Sequence, residues 1–257
     1  LTMFNRHQVI KKIKRLVLGK TESYIFHDTK LSFASGTRPV RRKYLSSTND
    51  VVRNDVLQIY YFEKYFKPTD TLWDIGSHYG HYSIFAASVA TGANQVFSFE
   101  PDADARSVQY KNIEFNKLQS KIKVLDLAVS STDGPLFFHS QGGNSTSHIV
   151  NAGEKNSADI IEVQAKTVDA LLSELPAPSL VKIDAEGAEI DILRHADKLL
   201  ANPDIRFICE LHPFAWESFG VTYTEFENIL RKHNRTIELL DKQKNLADLP
   251  FYGTVLF

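Results

Sequence analysis

The sequence predicts an α/β fold in which a mainly parallel sheet ends in an antiparallel pair of strands. Between residues 71 and 211, five short apolar runs alternate with helix-like stretches, the pattern of a parallel sheet covered by helices. Near the end of the chain, the apolar runs 236–241 and 252–257 leave no room for a helix between them. Such a short connection is typical of antiparallel strands.

The N-terminal region, predicted as residues 1–69, begins with a basic stretch. Residues 1–50 contain eleven Lys and Arg but three Asp and Glu. Apolar residues recur there at helical spacing between basic ones: Val9, Ile10, Ile13, Leu16 and Val17 alternate with Lys11, Lys12, Lys14 and Arg15. Such a helix can bind an anionic membrane or partner surface, or it can pack its apolar stripe on the domain and leave the basic face in solvent. We favour the second interpretation.

Two further elements precede the sheet. Residues 24–33 alternate in the way of a short strand or hairpin arm. Residues 55–66 have the apolar stripe of a helix, which must end before Pro68 because proline disfavours helix at the residue before it. A basic helix and an arm packed on the core are therefore expected before a main domain at 70–257.

The main domain is predicted to alternate strands with helices. Strands are expected at 71–75, 95–99, 123–128, 180–184 and 206–211, and helices at 80–90, 102–116, 168–175 and 188–201. One stretch departs from this alternation: residues 140–158 are rich in Gly, Ser and Asn and lie between apolar runs at 136–139 and 160–164. They can form a loop over the ligand edge of the sheet or a passive surface insertion.

Composition narrows the protein class. Of 257 residues, 43% are hydrophobic and 24% are charged, as in an ordinary globular domain. The single cysteine, Cys209, forms no intrachain disulfide, and no apolar run reaches the ~20 residues of a membrane span. We expect a cytoplasmic protein, with contact to an anionic membrane surface only if the basic helix binds one, and no nucleic-acid partner.

A glycine turn followed by a distant acid indicates a nucleoside ligand. The run Asp74-Ile75-Gly76-Ser77-His78-Tyr79-Gly80 ends the first strand of the main domain, and Glu100-Pro101 ends the second. In parallel sheets such a turn lets a ligand's polar tail approach the backbone, and the acid accepts hydrogen bonds from ribose hydroxyls. The pattern therefore predicts an adenosine-bearing cofactor. The alternative is an ordinary strand-to-helix turn.

Residue sizes within the turn favour one cofactor over another. The dinucleotide fingerprint requires small residues where this chain has His78 and His81, and an imidazole obstructs close approach of a pyrophosphate. A carboxylate at Asp74 suits the cationic amino-acid tail of S-adenosylmethionine. We therefore favour a methyl donor over a nicotinamide, and a nicotinamide-dependent oxidoreductase remains the alternative enzyme.

Acidic side chains gather where two later strands end. Lys182, Asp184 and Glu186 follow one another on alternate positions, as do Glu210 and His212. If the two strands are neighbours, Asp184 or His212 can act as a general base. The set Asp184, Glu186, Glu210 and His212 can instead hold Mg²⁺ or Mn²⁺, although a metal is not favoured. The remaining interpretation is a purely structural cluster.

The chain resembles the FkbM-type S-adenosylmethionine-dependent methyltransferases over roughly residues 70–257. The runs that carry the resemblance are residues 73–80, 98–101, 112–116, 126–129, 182–189 and 210–212, of which Lys-Ile-Asp-x-Glu-Gly-x-Glu at 182–189 is the most distinctive. The resemblance implies a Rossmann-like seven-stranded methyltransferase fold. It also implies methyl transfer to a hydroxyl, often of a sugar or natural product. One departure is His78, where the family often has asparagine.

The resemblance also implies site roles. Asp74, Gly76 and Gly80 would surround the methionine part of the cofactor, Glu100 would hold the ribose, and Asp184 would stand near the transferred methyl. The cofactor-binding set is Asp74, Gly76, His78, Gly80, Ser83, Glu100, Pro101, Asp126 and Ala128, the last two beside the adenine; the catalytic set is Asp184, His212 and Lys182. The expected acceptor is a small molecule or glycan. A third, non-enzymatic hypothesis is a module that binds surfaces through its basic helix.

Overall fold

The computed structural model describes residues 20–41, 44–93, 95–140, 143, 147–150, 159–245 and 252–257. The strands in these ranges are β1 (Thr21–Phe26), β2 (Thr29–Ala34), β3 (Leu72–Ile75), β4 (Val96–Phe99), β5 (Ile122–Leu125), β6 (Ala128–Val129), β7 (Gly134–His139), β8 (His148–Ile149), β9 (Ile160–Lys166), β10 (Leu180–Ile183), β11 (Arg206–Leu211), β12 (Glu238–Leu239) and β13 (Gly253–Leu256). The helices are α1 (Asp50–Tyr65), α2 (His81–Val89), α3 (Ala103–Phe115), α4 (Val168–Leu172), α5 (Glu189–Leu193), α6 (Asp197–Leu200) and α7 (Tyr223–Lys232), with a 3-10 helix at Pro213–Phe219.

A seven-stranded sheet forms the centre of the fold. Its strand order is β12-β13-β11-β10-β3-β4-β5. The strands from β11 to β5 in this order run parallel, whereas β13 is antiparallel to both β11 and β12. This confirms the predicted Rossmann-like α/β sheet with an antiparallel end. A second sheet, of order β6-β9-β7-β8, follows β5 in the chain.

The central strands are buried on both faces, so they are continuously apolar in sequence. Trp73 and Ile75 point into one core, which is shared with α5 and the 3-10 helix. Leu72 points into the other, where it meets aromatic side chains of α1, α2 and the β1–β2 hairpin. Since alternate residues of a strand face opposite ways, Asp74 and Lys182 lie on the second face with Leu72.

Two predicted elements are divided in the structure. The expected strand 123–128 ends at Leu125, because Asp126 turns outward to an ion pair with Arg106. The chain then enters the second sheet, where Ala128 pairs with β9. The expected helix 188–201 is split into α5 and α6 by a turn at 194–196.

The helix expected at 55–66 begins earlier, at Asp50. Its N-cap is Asn49, whose side chain accepts a hydrogen bond from the backbone N–H of Val52 at 3.1 Å. Asparagine before an acidic first turn is a strong start signal for a helix. The cap before the apolar stripe therefore determines where α1 begins. The prediction from the apolar stripe alone put the first residue of the helix too late in the chain.

The β1–β2 hairpin packs on the main domain. The ring of Phe26 stacks on Phe85 of α2 with centroids 4.3 Å apart, and the side chain of Asn112 accepts a hydrogen bond from the backbone N–H of Ala34 at 2.8 Å. The side-chain amide of Asn116 accepts a hydrogen bond from the backbone N–H of Ser32 and donates one to the carbonyl oxygen of the same residue. These contacts are those expected of a packed arm, while the domain boundary at residue 70 stays a prediction.

The predicted basic helix lies outside the described residues. Among the helices that the structure does describe, none is both long and apolar enough to cross a bilayer.

Gly76 has a steric role within the fold. It has φ +73°, and a Cβ built on it would lie 1.7 Å from the backbone carbonyl oxygen of Asp184. We therefore expect Gly76→Ala to lower the free energy of unfolding by more than about 4 kcal/mol, since backbone on both sides must move. Gly36→Ala is the matched control, because Gly36 has φ +80° with no atom within 4 Å of its built Cβ.

Urea unfolding of both variants would separate steric overlap from backbone strain. Gly36→Ala should cost about 1–2 kcal/mol, the usual penalty for a left-handed alanine. Equal losses in the two variants would contradict the close-contact explanation for Gly76.

Candidate active site

The carboxyl ends of β3, β4, β5 and β10 border a cavity with an empty volume of about 720 Å³. This is where open parallel sheets bind ligands. We call it the first cavity. Its lining comes from segments that directly follow these strands and from the second sheet: Gly76, His78, Glu100, Pro101, Asp102, Leu127, Ala128, Phe138, Ser147, His148, Ile149, Asp184, Ala185 and Glu186, among others.

Glu100 lies at the polar end of this lining. Its carboxylate oxygens accept hydrogen bonds from the backbone N–H groups of His78, at 2.7 Å, and Asp102, at 2.8 Å. Burial raises the pKa of Glu100 to about 7, against the effect of these bonds. Each carboxylate oxygen has two lone pairs, so the buried acid retains acceptor capacity toward a ligand hydroxyl. This is the property that a ribose-binding acid needs.

The rest of the first cavity has an apolar wall. Leu127 follows β5, while Phe138 and Ile149 come from the second sheet, and all three line the cavity. A flat aromatic base gains stability by leaving water for such a surface. An apolar wall together with a buried carboxylate fits an adenosine moiety.

A second cavity, of about 750 Å³ empty volume, lies on the α1 and α2 side. Its lining includes several polar and charged residues: Arg38, Asp55, Gln58, His81, Tyr82, Lys182 and Glu210. Three residues line both cavities: Gly76, His78 and Asp184. The two cavities therefore meet at the ends of β3 and β10.

Asp184 stands at this junction and is held ionised. Its Oδ2 accepts a hydrogen bond from Nζ of Lys182 at 3.0 Å, and Lys182 is 2% exposed. Burial raises the pKa of Asp184, but the positive charges of Lys182 and His212 outweigh it and hold the pKa below its ordinary value. Burial likewise opposes the charge of Lys182, yet its carboxylate neighbours raise its pKa. The junction thus contains a stable carboxylate.

His212 is oriented by a buried acid. Its Nδ1 lies 2.9 Å from Oε1 of Glu189, and Nε1 of Trp216 donates to the other oxygen of Glu189 at 3.1 Å. Burial opposes protonation of the ring, but the bond to Glu189 and the surrounding carboxylates raise the pKa of His212 to about 10. The imidazole is therefore a cation at neutral pH. Of the two predicted bases, this geometry favours Asp184.

The four predicted metal ligands come together at the junction. Nε2 of His212 lies 3.9 Å from Asp184 and 3.7 Å from Glu186, and Asp184, Glu210 and His212 offer ligand atoms within 4.8 Å of one another. The carboxylate of Glu210, however, already accepts hydrogen bonds from three side chains: Asn54, Gln58 and Tyr252. The ammonium of Lys182 also occupies one oxygen of Asp184. This donor set fits a protein-supplied positive charge better than a divalent ion.

Comparison with known proteins agrees with this geometry. The sequence profile of the methyltransferase FkbM domain matches residues 74–237, more than half of the chain. The chain belongs to the FkbM methyltransferase family. This confirms the resemblance noted in the sequence and removes the nicotinamide-dependent oxidoreductase as a competing assignment.

Two curated proteins share part of this sequence. Hexuronic acid methyltransferase AglP of Haloferax volcanii is 29% identical over 147 residues, which cover 56% of this chain and 56% of that protein. Methyltransferase sdnD of Sordaria araneosa is 26% identical over 155 residues, covering 49% of this chain and 60% of that protein. The chain thus spans little more than half the length of the relatives it matches.

A solved FkbM structure is also similar. The FkbM methyltransferase of Methylobacillus flagellatus KT has a TM-score of 0.47 and 14% identity, with 84% of this chain and 57% of that chain covered. The assignment of the fold therefore rests on the strand order described above.

Three predicted cofactor-binding residues of the FkbM motif lie beneath the first cavity. Asp74 is fully buried in the middle of β3, and its Oδ2 accepts hydrogen bonds from the N–H and Oγ of Ser83. Gly80 is the N-cap of α2, where a Cβ would lie 2.7 Å from the side chain of Gln109. None of these three residues is among those that line the first cavity, and their predicted role in cofactor binding stays a prediction.

The predicted adenine-flanking pair is divided. Ala128 lines the first cavity, as does Pro101. The carboxylate of Asp126 is 68% exposed and pairs with Nη1 of Arg106 at 2.6 Å. Leu127, between them in sequence, supplies the apolar contact instead.

His78 lines the first cavity. Its Nε2 lies 2.9 Å from the carbonyl of Gly143, its ring stacks on Tyr79, and burial lowers its pKa, so it is neutral. Of the loop 140–158, residues 140, 143 and 147–150 are described, and the others lie outside the described residues. Ser140 and Ser147 donate hydrogen bonds to Asp102 at the cavity's edge.

Sequence reasoning missed several residues of the second cavity. Arg38 and Asp55 come from the N-terminal region, for which the sequence predicts a packed arm and helices but no site residue. Burial and the nearby Glu210 and Asp184 raise the pKa of Asp55 to about 7. The available signal was an isolated acid on the apolar side of a predicted helix, near Val56 and Ile59. Whether this acid lines a cavity depends on where α1 packs against the rest of the fold.

Proposed function

We propose that this chain is an S-adenosylmethionine-dependent O-methyltransferase that acts on a hydroxyl of a sugar or glycan. The observation that supports this proposal most directly is the junction at Asp184, where the first cavity, which suits adenosine, meets the second cavity. Methyl transfer requires donor and acceptor to be aligned with water excluded, and two cavities with a shared wall provide that arrangement.

The first cavity fits the donor. Glu100 would accept hydrogen bonds from the ribose, and the wall formed by Leu127, Phe138 and Ile149 would cover the adenine. S-adenosylmethionine, when bound, supplies a methyl group on a positively charged sulfur. A nearby ionised carboxylate such as Asp184 is compatible with that charge.

Asp184 is the proposed general base. An acceptor hydroxyl in the second cavity would donate its proton to the free oxygen of Asp184 as it becomes nucleophilic. Lys182 keeps the other oxygen in place at 3.0 Å, and His212 adds positive charge from the opposite side at 3.9 Å. Both cations are positioning groups in this proposal, and the proton leaves the carboxylate for solvent afterwards.

The second cavity supports a polyhydroxylated acceptor. Asp55, Asp184 and Arg38 are among its lining residues and can bond to sugar hydroxyls. One relative is named a hexuronic acid methyltransferase, and that printed name supports a sugar acceptor. Neither feature calls for a nucleic-acid partner.

The test combines binding with product analysis. Calorimetric titration with S-adenosylhomocysteine should show heat, whereas NADH should give none. With a radiolabelled methyl donor, label should appear in glycosides, and the product should resist mild alkali because an ether does and a methyl ester does not. Absence of S-adenosylhomocysteine binding at micromolar protein would contradict the proposal, and alkali-labile label would contradict the hydroxyl acceptor.

A further inference from the structure

Asp55 of α1 is an acidic side chain in the wall of the second cavity. It is half-buried, and the structure records no hydrogen bond or ion pair for its carboxylate among the described residues. Neither of its oxygens is among the unpartnered polar atoms that are wholly shielded from solvent. The carboxylate is therefore accessible, with its acceptor capacity unused.

The other charged side chains that line this cavity have partners. Nζ of Lys182 lies 3.0 Å from Oδ2 of Asp184, and Arg38 pairs with an acid of the β1–β2 hairpin at 3.1 Å. The oxygens of Glu210 accept hydrogen bonds from three side chains. Among the charged lining residues within the described ranges, Asp55 thus differs in having its carboxylate open to a ligand.

Folding alone gives no reason for an acid at this position. Burial and the negative charges of Glu210 and Asp184 raise the pKa of Asp55 to about 7, and the positive charge of Lys182 opposes them only in part. An ionised Asp55 therefore destabilises the empty fold. Groups that are held in unfavourable surroundings next to a cavity are found preferentially at functional sites.

A hydroxyl is the donor that fits Asp55 within the proposed function. Asp55 and Asp184 line the same cavity, and the charge of each carboxyl is felt by the other. Asp184 has one oxygen on Lys182 and the other directed to the reacting hydroxyl in the proposed mechanism. A second hydroxyl on the same small acceptor would complete Asp55 and fix the orientation of the acceptor.

We propose that Asp55 is a specificity residue that binds a second, non-reacting hydroxyl of the acceptor while Asp184 receives the proton of the first. This inference rests on the proposed function and specifies its substrate class, because it requires an acceptor with at least two hydroxyls. The two contacts together determine which hydroxyl of a sugar is methylated.

The test measures binding of methyl glycosides of glucose, galactose and mannose to the protein with bound S-adenosylhomocysteine. Asp55→Asn should weaken the tightest of these about 10-fold by calorimetry, since a neutral amide oxygen replaces a charged acceptor. One monodeoxy analogue of that glycoside should bind the wild-type protein about 10-fold more weakly and lose nothing further in Asp55→Asn. In turnover, KM for the parent glycoside should rise while kcat changes little.

Urea unfolding at pH 8 separates this role from a structural one. Asp55→Asn should be at least as stable as the wild-type protein, because it removes a charge that its surroundings disfavour. Asp50→Asn is the matched control on the same helix. The carboxylate of Asp50 is 56% exposed and pairs with Arg53 at 3.1 Å, so this variant should keep the wild-type affinity for the glycoside.

Unchanged glycoside binding in Asp55→Asn would overturn the proposal. Equal weakening of the parent glycoside and of all its monodeoxy analogues would also overturn it, since that result indicates a general distortion of the cavity. Failure of all three glycosides to bind the wild-type protein would instead contradict the sugar acceptor of the proposed function, and this inference with it. The binding results do not depend on turnover, so they stay distinguishable from failure of methyl transfer itself.

Discussion

Replacing Asp184 by asparagine is expected to lower turnover about 10²–10⁴-fold, the usual contribution of a general base. Asparagine preserves the shape of the side chain at the junction of the cavities but cannot accept the acceptor's proton. Binding of S-adenosylhomocysteine should remain close to wild type, because the ribose and adenine contacts lie elsewhere in the first cavity. Single-turnover rates and calorimetric titration would measure the two effects separately.

Glu186→Gln is the informative comparison for this result. Glu186 lines the first cavity beside Asp184, and burial raises its pKa to about 7, which makes it the competing base. We expect Glu186→Gln to retain most of the rate. An active Asp184→Asn variant together with an inactive Glu186→Gln variant would transfer the role to Glu186. A chelator should leave the wild-type rate unchanged if Lys182 and His212 supply the positive charge.

Glu100→Gln is expected to raise the Kd for S-adenosylhomocysteine about 100-fold. Two hydrogen bonds from ribose hydroxyls to an ionised carboxylate stabilise a complex by about 3 kcal/mol, and each 1.4 kcal/mol is a factor of ten. Glutamine also presents an N–H₂ group to one of the backbone N–H groups of His78 and Asp102. Calorimetry at pH 8 would measure the change. Asp126→Asn is the matched control and should bind normally, because its carboxylate is exposed and paired with Arg106.

The same contact predicts a pH dependence of cofactor binding. Since the pKa of Glu100 is about 7 before binding, the acid is largely protonated at pH 6 and ionised at pH 8. Ribose hydroxyls bind the ionised form better, so wild-type affinity should rise between pH 6 and pH 8. In Glu100→Gln this rise should be smaller, because glutamine does not titrate. An identical pH profile in both proteins would exclude Glu100 as the ribose acid.

The strand ends were predictable to the extent that they follow local patterns. Gly76, Glu100 and Asp184 each end an apolar run, and parallel strands bring their carboxyl ends to one edge of the sheet. The sequence pattern did not show which residues of the motif lie at this edge of the sheet and which lie behind it. Asp74 and Ser83 belong to the same motif, but their side chains bond to each other between β3 and α2.

The sequence by itself determined the fold class and the family. Apolar runs, turn residues and the run at 182–189 are patterns of neighbouring residues, so they can be recognised without knowing how the chain folds. Only the tertiary structure decided the charge state of the junction and the composition of the second cavity. Protonation of His212 depends on Glu189 and on carboxylates from two strands, and Arg38 reaches the cavity only because the hairpin docks on α2 and α3. Burial and the distance between charges are properties of packing, and packing joins residues that are far apart in the chain.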